Sequence, residues 1–114
     1  MSTNAAPGVG DVVLARIPFS DGQQDKKRPA LVLAPADACG DVLMASITSN
    51  PDVPGGIAIG GHDLAQGTLA RPSWVRADKL NSIDASRIDR VLARATPALL
   101  QRVRDRLCPP LGCR

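Results

Sequence analysis

Short apolar segments alternate along the chain with polar segments rich in glycine and proline, which is the pattern of a small β domain. The apolar segments predict five strands, at 11–19, 28–35, 42–48, 57–60 and 68–80. The second strand is apolar at nearly every position, so we expect it to be buried on both faces. Pro72 indicates an edge or a bend in the fifth. Residues 60–67 are expected to form a turn.

The last third of the chain contains a segment with two readings and a well-marked helix. Residues 82–95 fit both a helix and an alternating strand, and a turn followed by a strand is the favoured interpretation. Thr96 is then suited to cap a helix and Pro97 to begin it. The predicted helix has about three turns and is expected to stop at Pro109–Pro110. Its apolar face consists of Leu99, Leu100, Val103 and Leu107.

These elements predict a mainly β fold, a small antiparallel barrel of five to six strands with a C-terminal α-helix packed against it. A chain of 114 residues suits a single domain. We expect the domain to span 10–108, between a disordered lead-in at 1–9 and a tail at 109–114. Two polar loops, at 20–27 and 49–56, are candidate binding elements.

Composition narrows the classes of function. The net charge is +3, but residues 81–114 hold seven arginines and three aspartates, so the basic charge is concentrated at the C-terminal end. Such an end permits a nucleic-acid or an acidic protein partner. No apolar run approaches the length that spans a bilayer, and no export signal is visible. The three cysteines are an odd number without paired spacing, which fits a reducing compartment better than a disulfide-bonded scaffold. We therefore expect a cytoplasmic protein without a membrane partner.

Several kinds of site are disfavoured by the residues that are missing. The chain has one histidine, no glutamate and three scattered cysteines, which makes a dedicated zinc site improbable. No G-x-S-x-G, Walker or Rossmann motif is present. We expect no cofactor.

The order of four motifs resembles the MazF/PemK (Kid) family, the ribonuclease toxins of type II toxin–antitoxin modules. The motifs are GDVVLARIPFSD, KKRPALVLAP, ITS and SWVRADKL, followed by a basic segment and a final helix. The resemblance covers roughly residues 8–107. It implies an SH3-like barrel that forms a homodimer and cleaves single-stranded RNA without a metal. It also implies inhibition by an antitoxin, a small acidic protein whose disordered tail covers the RNA site.

The resemblance also implies which residues form the site. Arg28, which opens the second strand, and Thr48, which ends the third, match active-site residues of the family. Arg76 and Asp78 match an arginine and an aspartate that act as acid or base and as charge stabiliser. We expect further RNA contacts from residues in the two loops and the later strand: Ser20, Lys26, Lys27, Ser49, Asn50, Trp74 and Lys79.

The chemistry of these side chains is consistent with cleavage by the 2′-hydroxyl of the RNA. Arg76 and Asp78 are two residues apart on a strand, so they project from one face. We hypothesise that Asp78 is the base, that Arg76 and Arg28 stabilise the phosphorane, that one of them donates the proton, and that Thr48 binds a phosphate oxygen.

Position by itself leaves a second role open for each residue. Arg28 also fits a gatekeeper beside an aggregation-prone strand, Arg76 with Asp78 a surface ion pair, and Thr48 a turn residue. At the level of the whole protein, two alternatives remain. One is a non-enzymatic toxin of the same fold that acts on DNA gyrase, as in the CcdB family, and the other is a degenerate barrel that only binds RNA or protein.

Overall fold

Seven β-strands and one α-helix make up the part of the chain that the computed structural model describes, residues 7–17 and 26–111, with side chains up to residue 107. The expected lead-in at 1–9 falls largely outside these residues. Two short 3-10 turns, at Gly61–Asp63 and Ala85–Arg87, interrupt the strands. In chain order the elements are β1 (Asp11–Ile17), β2 (Lys26–Ala34), β3 (Asp41–Thr48), β4 (Gly56–Ile59), β5 (Leu64–Gly67), β6 (Ser73–Asp84), β7 (Ile88–Ala95) and α1 (Pro97–Leu111).

The strands form one antiparallel sheet in the order β4-β6-β3-β2-β1-β7-β5. Its two outermost strands, β4 and β5, are consecutive in the chain and only residues 60–63 separate them. So short a connection spans at most about 18 Å. The sheet must therefore curve until its edges approach each other, as in a barrel. The prediction of a mainly β, antiparallel fold with a C-terminal helix is confirmed.

The number and bounds of the strands differ from the prediction of five to six. The additional strand is β5, within the segment that was expected to be a turn. Residues 65–67 are exposed, so β5 has no apolar alternation, and pairing with β7 holds it in place. The long strand begins at Ser73 rather than at residue 68, after Pro72, which cannot donate to a ladder. Residues 82–95 form the end of β6, a turn and β7, so the favoured reading is confirmed.

The helix begins as predicted and ends later. Thr96 Oγ1 accepts a hydrogen bond from the Leu99 N–H at 3.2 Å, and Pro97 is the first helical residue. The prediction that Pro109–Pro110 stop the helix is wrong, because α1 continues to Leu111. Proline has a φ that is itself helical, so the backbone keeps its course although two N–H donors are missing. Among the described residues, no helix is long and apolar enough to cross a membrane.

The apolar side chains form two cores, one on each face of the sheet. The larger core unites six strands with Leu99, Val103 and Leu107 of α1, so the helix packs on that face. The smaller core lies on the other face of β1, β2, β3 and the end of β6. β2 contributes Leu31 to the larger core and Val32 to the smaller one, which confirms its predicted burial on both faces.

Gly10 leads into β1 where three segments meet. Its φ is +95°, its N–H donates to the Val32 carbonyl at 2.9 Å, and its own carbonyl accepts from the Ala95 N–H at 2.7 Å. A Cβ there would lie 3.1 Å from Leu100 Cδ1.

Gly10→Ala should lower the free energy of unfolding by about 1–2 kcal/mol, because an L-residue is strained in the left-handed region. Urea unfolding measures the loss, and an equal loss in the control Gly8→Ala would contradict this explanation.

Candidate active site

Three adjacent strands, β2, β3 and β6, bring the predicted site residues to one face of the sheet. Ala30 of β2 pairs with Ser46 of β3, and Arg28 and Thr48 each lie two residues beyond this pair, towards the same end of the two antiparallel strands. Thr48 is in turn paired with Trp74 of β6. Because alternate residues of a strand share a face, these side chains lie beside the smaller core, on the face away from α1. The row of Arg28, Thr48 and Trp74 forms one half of the candidate site.

The other half is a β-bulge in β6. Ile47 pairs with Val75, whereas Ala45 pairs with Leu80, so one residue of β3 faces four residues of β6, positions 76–79. A bulge bends its strand and redirects its side chains, and bulges are over-represented next to active sites. Both Arg76 and Asp78 lie within it.

Arg76 is held at this bulge from both sides. Its backbone pairs with Gly56 of β4, and its Nη2 donates to Asp78 Oδ2 at 3.1 Å. The Arg76 side chain is 27% exposed, and its Nε is buried without a hydrogen-bond partner among the described residues. A buried donor with no partner is rare in proteins and is expected where a ligand supplies the acceptor. The guanidinium is thus oriented by a carboxylate and retains bonding capacity.

Asp78 is the more accessible member of the pair, with 57% of its side chain exposed. Only its Oδ2 is engaged by a described donor, which leaves Oδ1 able to accept a proton or a hydroxyl group. The adjacent Lys79 is exposed in the same bulge. The bulge therefore presents two cations and one carboxylate to solvent.

Thr48 connects the site to the loop that follows it. Its Oγ1 accepts a hydrogen bond from the Asn50 N–H at 3.1 Å, and Asn50 Oδ1 accepts from the Asp52 N–H at 3.0 Å. The Thr48 hydroxyl keeps its proton for donation, while the carbonyl oxygen of the Asn50 side chain is occupied within the loop. Ser49 is exposed beside them.

The lysines at the start of β2 are not equivalent. Lys26 shares a face with Arg28, while strand alternation directs Lys27 to the other face, where its Nζ lies 3.4 Å from Asp89 Oδ2. Trp74 is half-buried, and its Cβ lies 3.1 Å from where a Cβ on Gly56 would be. The prediction for Ser20 falls outside the described residues.

The sequence-based prediction missed a polar pair at the centre of the site. Ser46 lies on β3 opposite the bulge, two residues before Thr48, and its Oγ accepts a hydrogen bond from Asn81 Nδ2 at 3.3 Å. The sequence contained a signal for Ser46, because residues two positions apart on a strand project from the same face and Ser46 is two positions before Thr48.

A second polar cluster joins α1 to the turn between β4 and β5. Asp63 is 2% exposed, and both of its oxygens accept hydrogen bonds from the Arg102 guanidinium at 3.1 Å. The hydrogen bonds from Arg102 lower the pKa of Asp63 and raise that of Arg102 in return. Oδ2 also accepts from the Gly60 N–H at 2.8 Å. The sequence predicts only a turn at residues 60–67 and leaves Arg102 off the apolar face of the helix, so it does not reveal this cluster.

Two further observations concern a cavity and possible metal ligands. A cavity of about 380 Å³ lies between the β4–β5 turn and residues 68–72, and neither Arg76 nor Thr48 lines it. Within the described ranges, no three His, Cys, Asp or Glu side chains come together as metal ligands would.

The chain is similar to a known protein family in sequence and to solved structures in fold. Residues 9–110 match the family described as PemK-like, MazF-like toxin of type II toxin-antitoxin system. No curated protein sequence matches the chain. Among solved structures, MazF from Deinococcus radiodurans is 30% identical, with 96% of this chain and 99% of that chain covered and a TM-score of 0.76.

Two complexes are also similar in structure. A MazE–MazF structure from Deinococcus radiodurans is 29% identical, covers 96% of this chain and 99% of the other, and has a TM-score of 0.70. An endoribonuclease in complex with its cognate antitoxin, from mycobacterial species, has a TM-score of 0.71 and covers 96% of each chain. The latter is 21% identical, so it shows likeness of fold.

Proposed function

The chain belongs to the PemK-like, MazF-like toxins of type II toxin–antitoxin systems, and on this premise we propose that it is an endoribonuclease that cleaves single-stranded RNA without a metal ion. The observation that carries the proposal is the Arg76–Asp78 pair at the bulge, in one face with Arg28 and Thr48. Cleavage of messenger RNA in the cytoplasm would stop translation and growth.

The reaction needs a base, an acid and a site for negative charge. The ribose 2′-OH loses its proton and its oxygen attacks the adjacent phosphorus, and the bond from phosphorus to the 5′-oxygen of the next nucleotide breaks. That oxygen takes up a proton, so the products are a 2′,3′-cyclic phosphate and a 5′-hydroxyl. Negative charge grows on the non-bridging phosphoryl oxygens in between, and preorganised donors stabilise it.

The guanidinium of Arg76 suits the stabilising role. Its planar fork grips two phosphate oxygens at once, and its Nε is a buried donor that lacks a partner among the described residues. Asp78 fixes the orientation of the fork through the 3.1 Å hydrogen bond. Charge stabilisation therefore needs little reorganisation when phosphate arrives.

The proton transfers are assigned to the two ends of the site. Asp78, whose Oδ1 is engaged by no described donor and whose side chain is exposed, would accept the 2′-OH proton. An arginine, Arg28 or Arg76, donates to the leaving oxygen. Thr48 donates its hydroxyl proton to a phosphate oxygen, since the same hydroxyl already accepts from Asn50.

The partners follow from the same premise. We include in the proposal an antitoxin partner, because a similar structure contains MazE with MazF. The homodimer and the acidic, disordered tail of the antitoxin are further expectations from the resemblance to the family. The exposed cations near the site, Lys26 and Lys79 among them, are suited to bind both a phosphate backbone and carboxylates.

The purified protein should cleave mixed single-stranded RNAs in the presence of EDTA and leave cyclic phosphate ends. The same RNA carrying hydrogen in place of the scissile 2′-OH should stay intact, because the nucleophile is missing. Gel analysis of the fragments and mass spectrometry of their ends measure both results. Intact RNA together with stalled DNA gyrase would identify a gyrase toxin instead, and RNA that is bound but not cut would identify a binding domain.

A further inference from the structure

The loop between β3 and β4, residues 49–55, joins two parts of the candidate site. It begins directly after Thr48, whose hydroxyl accepts from Asn50. It ends at Gly56, which pairs with Arg76. Any displacement of this loop therefore acts on the phosphate-binding hydroxyl at one end and on the backbone of the catalytic arginine at the other.

The hydrogen bonds within the loop are short-range and leave its far end dependent on another element. Asn50 and Asp52 are held by side chains two residues back in the chain, and the Gly56 N–H donates to the Val53 carbonyl at a long 3.4 Å. Gly55 has a φ of +73°, in the left-handed region, and it is exposed. The loop thus bends sharply just before it reaches β4.

Arg106 of α1 supplies that other element. Its Nη1 donates to the Gly55 carbonyl at 3.0 Å, across 51 residues of sequence. One helical turn earlier, Arg102 donates to the Ala58 carbonyl of β4 at 3.1 Å. The helix itself is fixed by Val103 and Leu107 in the larger core. Two arginines one helical turn apart on α1 therefore hold the loop end and the edge strand that pairs with Arg76.

We propose that Arg106 is a positioning residue that sets the shape of the 49–55 loop and thereby which RNA sequences the site accepts. The inference rests on the proposed nuclease function. The loop begins directly after Thr48 and ends at Gly56, the partner of Arg76 in the bulge, so we expect bases beside the scissile phosphate to contact it. Arg106 is on α1, which packs on the opposite face of the sheet from the site residues, so we assign it no contact with the reacting atoms.

The test compares the wild type with Arg106→Ala, Arg106→Lys and the control Arg104→Ala. Arg104 is exposed on the same helix and forms no hydrogen bond or ion pair with the described part of the chain. Each protein cleaves a pool of single-stranded RNAs of random sequence, and the cut sites are sequenced. Hydrogen exchange of the Asn50 and Gly56 amides is measured without RNA.

Arg106→Ala should reduce the ratio of kcat/KM between the preferred and the next sequences by about fivefold, as expected for the loss of one charge-assisted hydrogen bond at an exposed position. Its kcat on the preferred sequence should stay within about twofold, because the reacting groups are unchanged. Lysine can still donate to the Gly55 carbonyl, so Arg106→Lys should restore most of the selectivity. Both loop amides should exchange faster in Arg106→Ala only.

Other results would overturn the proposal. An unchanged cut profile and unchanged exchange in Arg106→Ala would show that Arg106 does not hold the loop. Equal losses of kcat on every sequence, which lysine does not rescue, would show a general structural role. If the wild type leaves all RNA intact, the nuclease function fails and the claim about RNA selection with it. The exchange measurement still decides separately whether Arg106 positions the loop.

Discussion

Replacing Arg76 with alanine should lower kcat for RNA cleavage by about a hundred- to a thousandfold, the loss typical of removing one donor to a transition-state oxyanion. The cause is the loss of the fork that grips the phosphoryl oxygens. Arg76→Lys should recover only part of the rate, because an ammonium group lacks the planar pair of donors. Single-turnover cleavage in EDTA measures the rate, and expression in growing cells should show relief of growth arrest.

The control for this result is Arg104→Ala, which removes the same charge from an exposed helix position and should leave kcat unchanged. Asp78→Asn should cost a comparable factor, and the double variant should lose little more than either single one, because the two residues act as a unit. Thermal unfolding checks that each protein is folded. Full activity in folded Arg76→Ala would refute the role that we assign to the bulge.

Asp63→Asn should lower the free energy of unfolding by about 2 kcal/mol at neutral pH, because it removes the buried carboxylate of an ion pair whose other member, Arg102, is 45% exposed. The substitution also leaves one acceptor oxygen where two accept hydrogen bonds from Arg102 and from the Gly60 N–H. Asp63 lies far from the bulge in the chain and belongs to no proposed step, so cleavage per folded molecule should change little. Urea unfolding measures the loss.

The effect of Asp63 should depend on pH in a defined direction. The hydrogen bonds from Arg102 hold the pKa of Asp63 below its usual value of 3.8 in the folded protein. Its contribution is therefore complete above about pH 5, where the unfolded carboxyl is ionised too, and is lost as the pH falls through the folded pKa. The stability difference between wild type and Asp63→Asn should accordingly shrink in acid.

The matched control is Asp105→Asn, a change of the same kind on the exposed side of α1. Its stability should follow that of the wild type at every pH. A difference between wild type and Asp63→Asn that stays constant from neutral to acid conditions would exclude the coupling between Asp63 and Arg102 as its source.

Local signals made some of the fold predictable from the sequence. The Thr96–Pro97 pair marks a helix start because both residues act on backbone groups within the same turn. The spacing of Arg76 and Asp78 predicted a shared face because strand alternation is also local. These predictions needed no knowledge of which segments meet.

The features that sequence analysis missed depend on distant partners. β5 has exposed side chains and forms because β7 provides a ladder for it. In the bulge, Ser46 of β3 faces four residues of β6, and only the pairing of the two strands reveals this mismatch. Asp63 and Arg102 are 39 residues apart, and no local pattern in the sequence links the two. Long-range pairing decides each of these, and a linear pattern contains no record of it.

The strand order has a consequence for the timing of synthesis. β1 is the first strand to leave the ribosome, yet one of its two neighbours is β7, and Asp11 bonds Arg94 across 83 residues. The larger core also stays uncovered on one side until α1, the last of the described elements, emerges and docks. We therefore expect the nascent chain to contain the four proposed catalytic residues, between positions 28 and 78, well before the strands and helix that align them are complete. If the proposed function holds, the ribonuclease would in this way become active only after α1 has been synthesised and has docked.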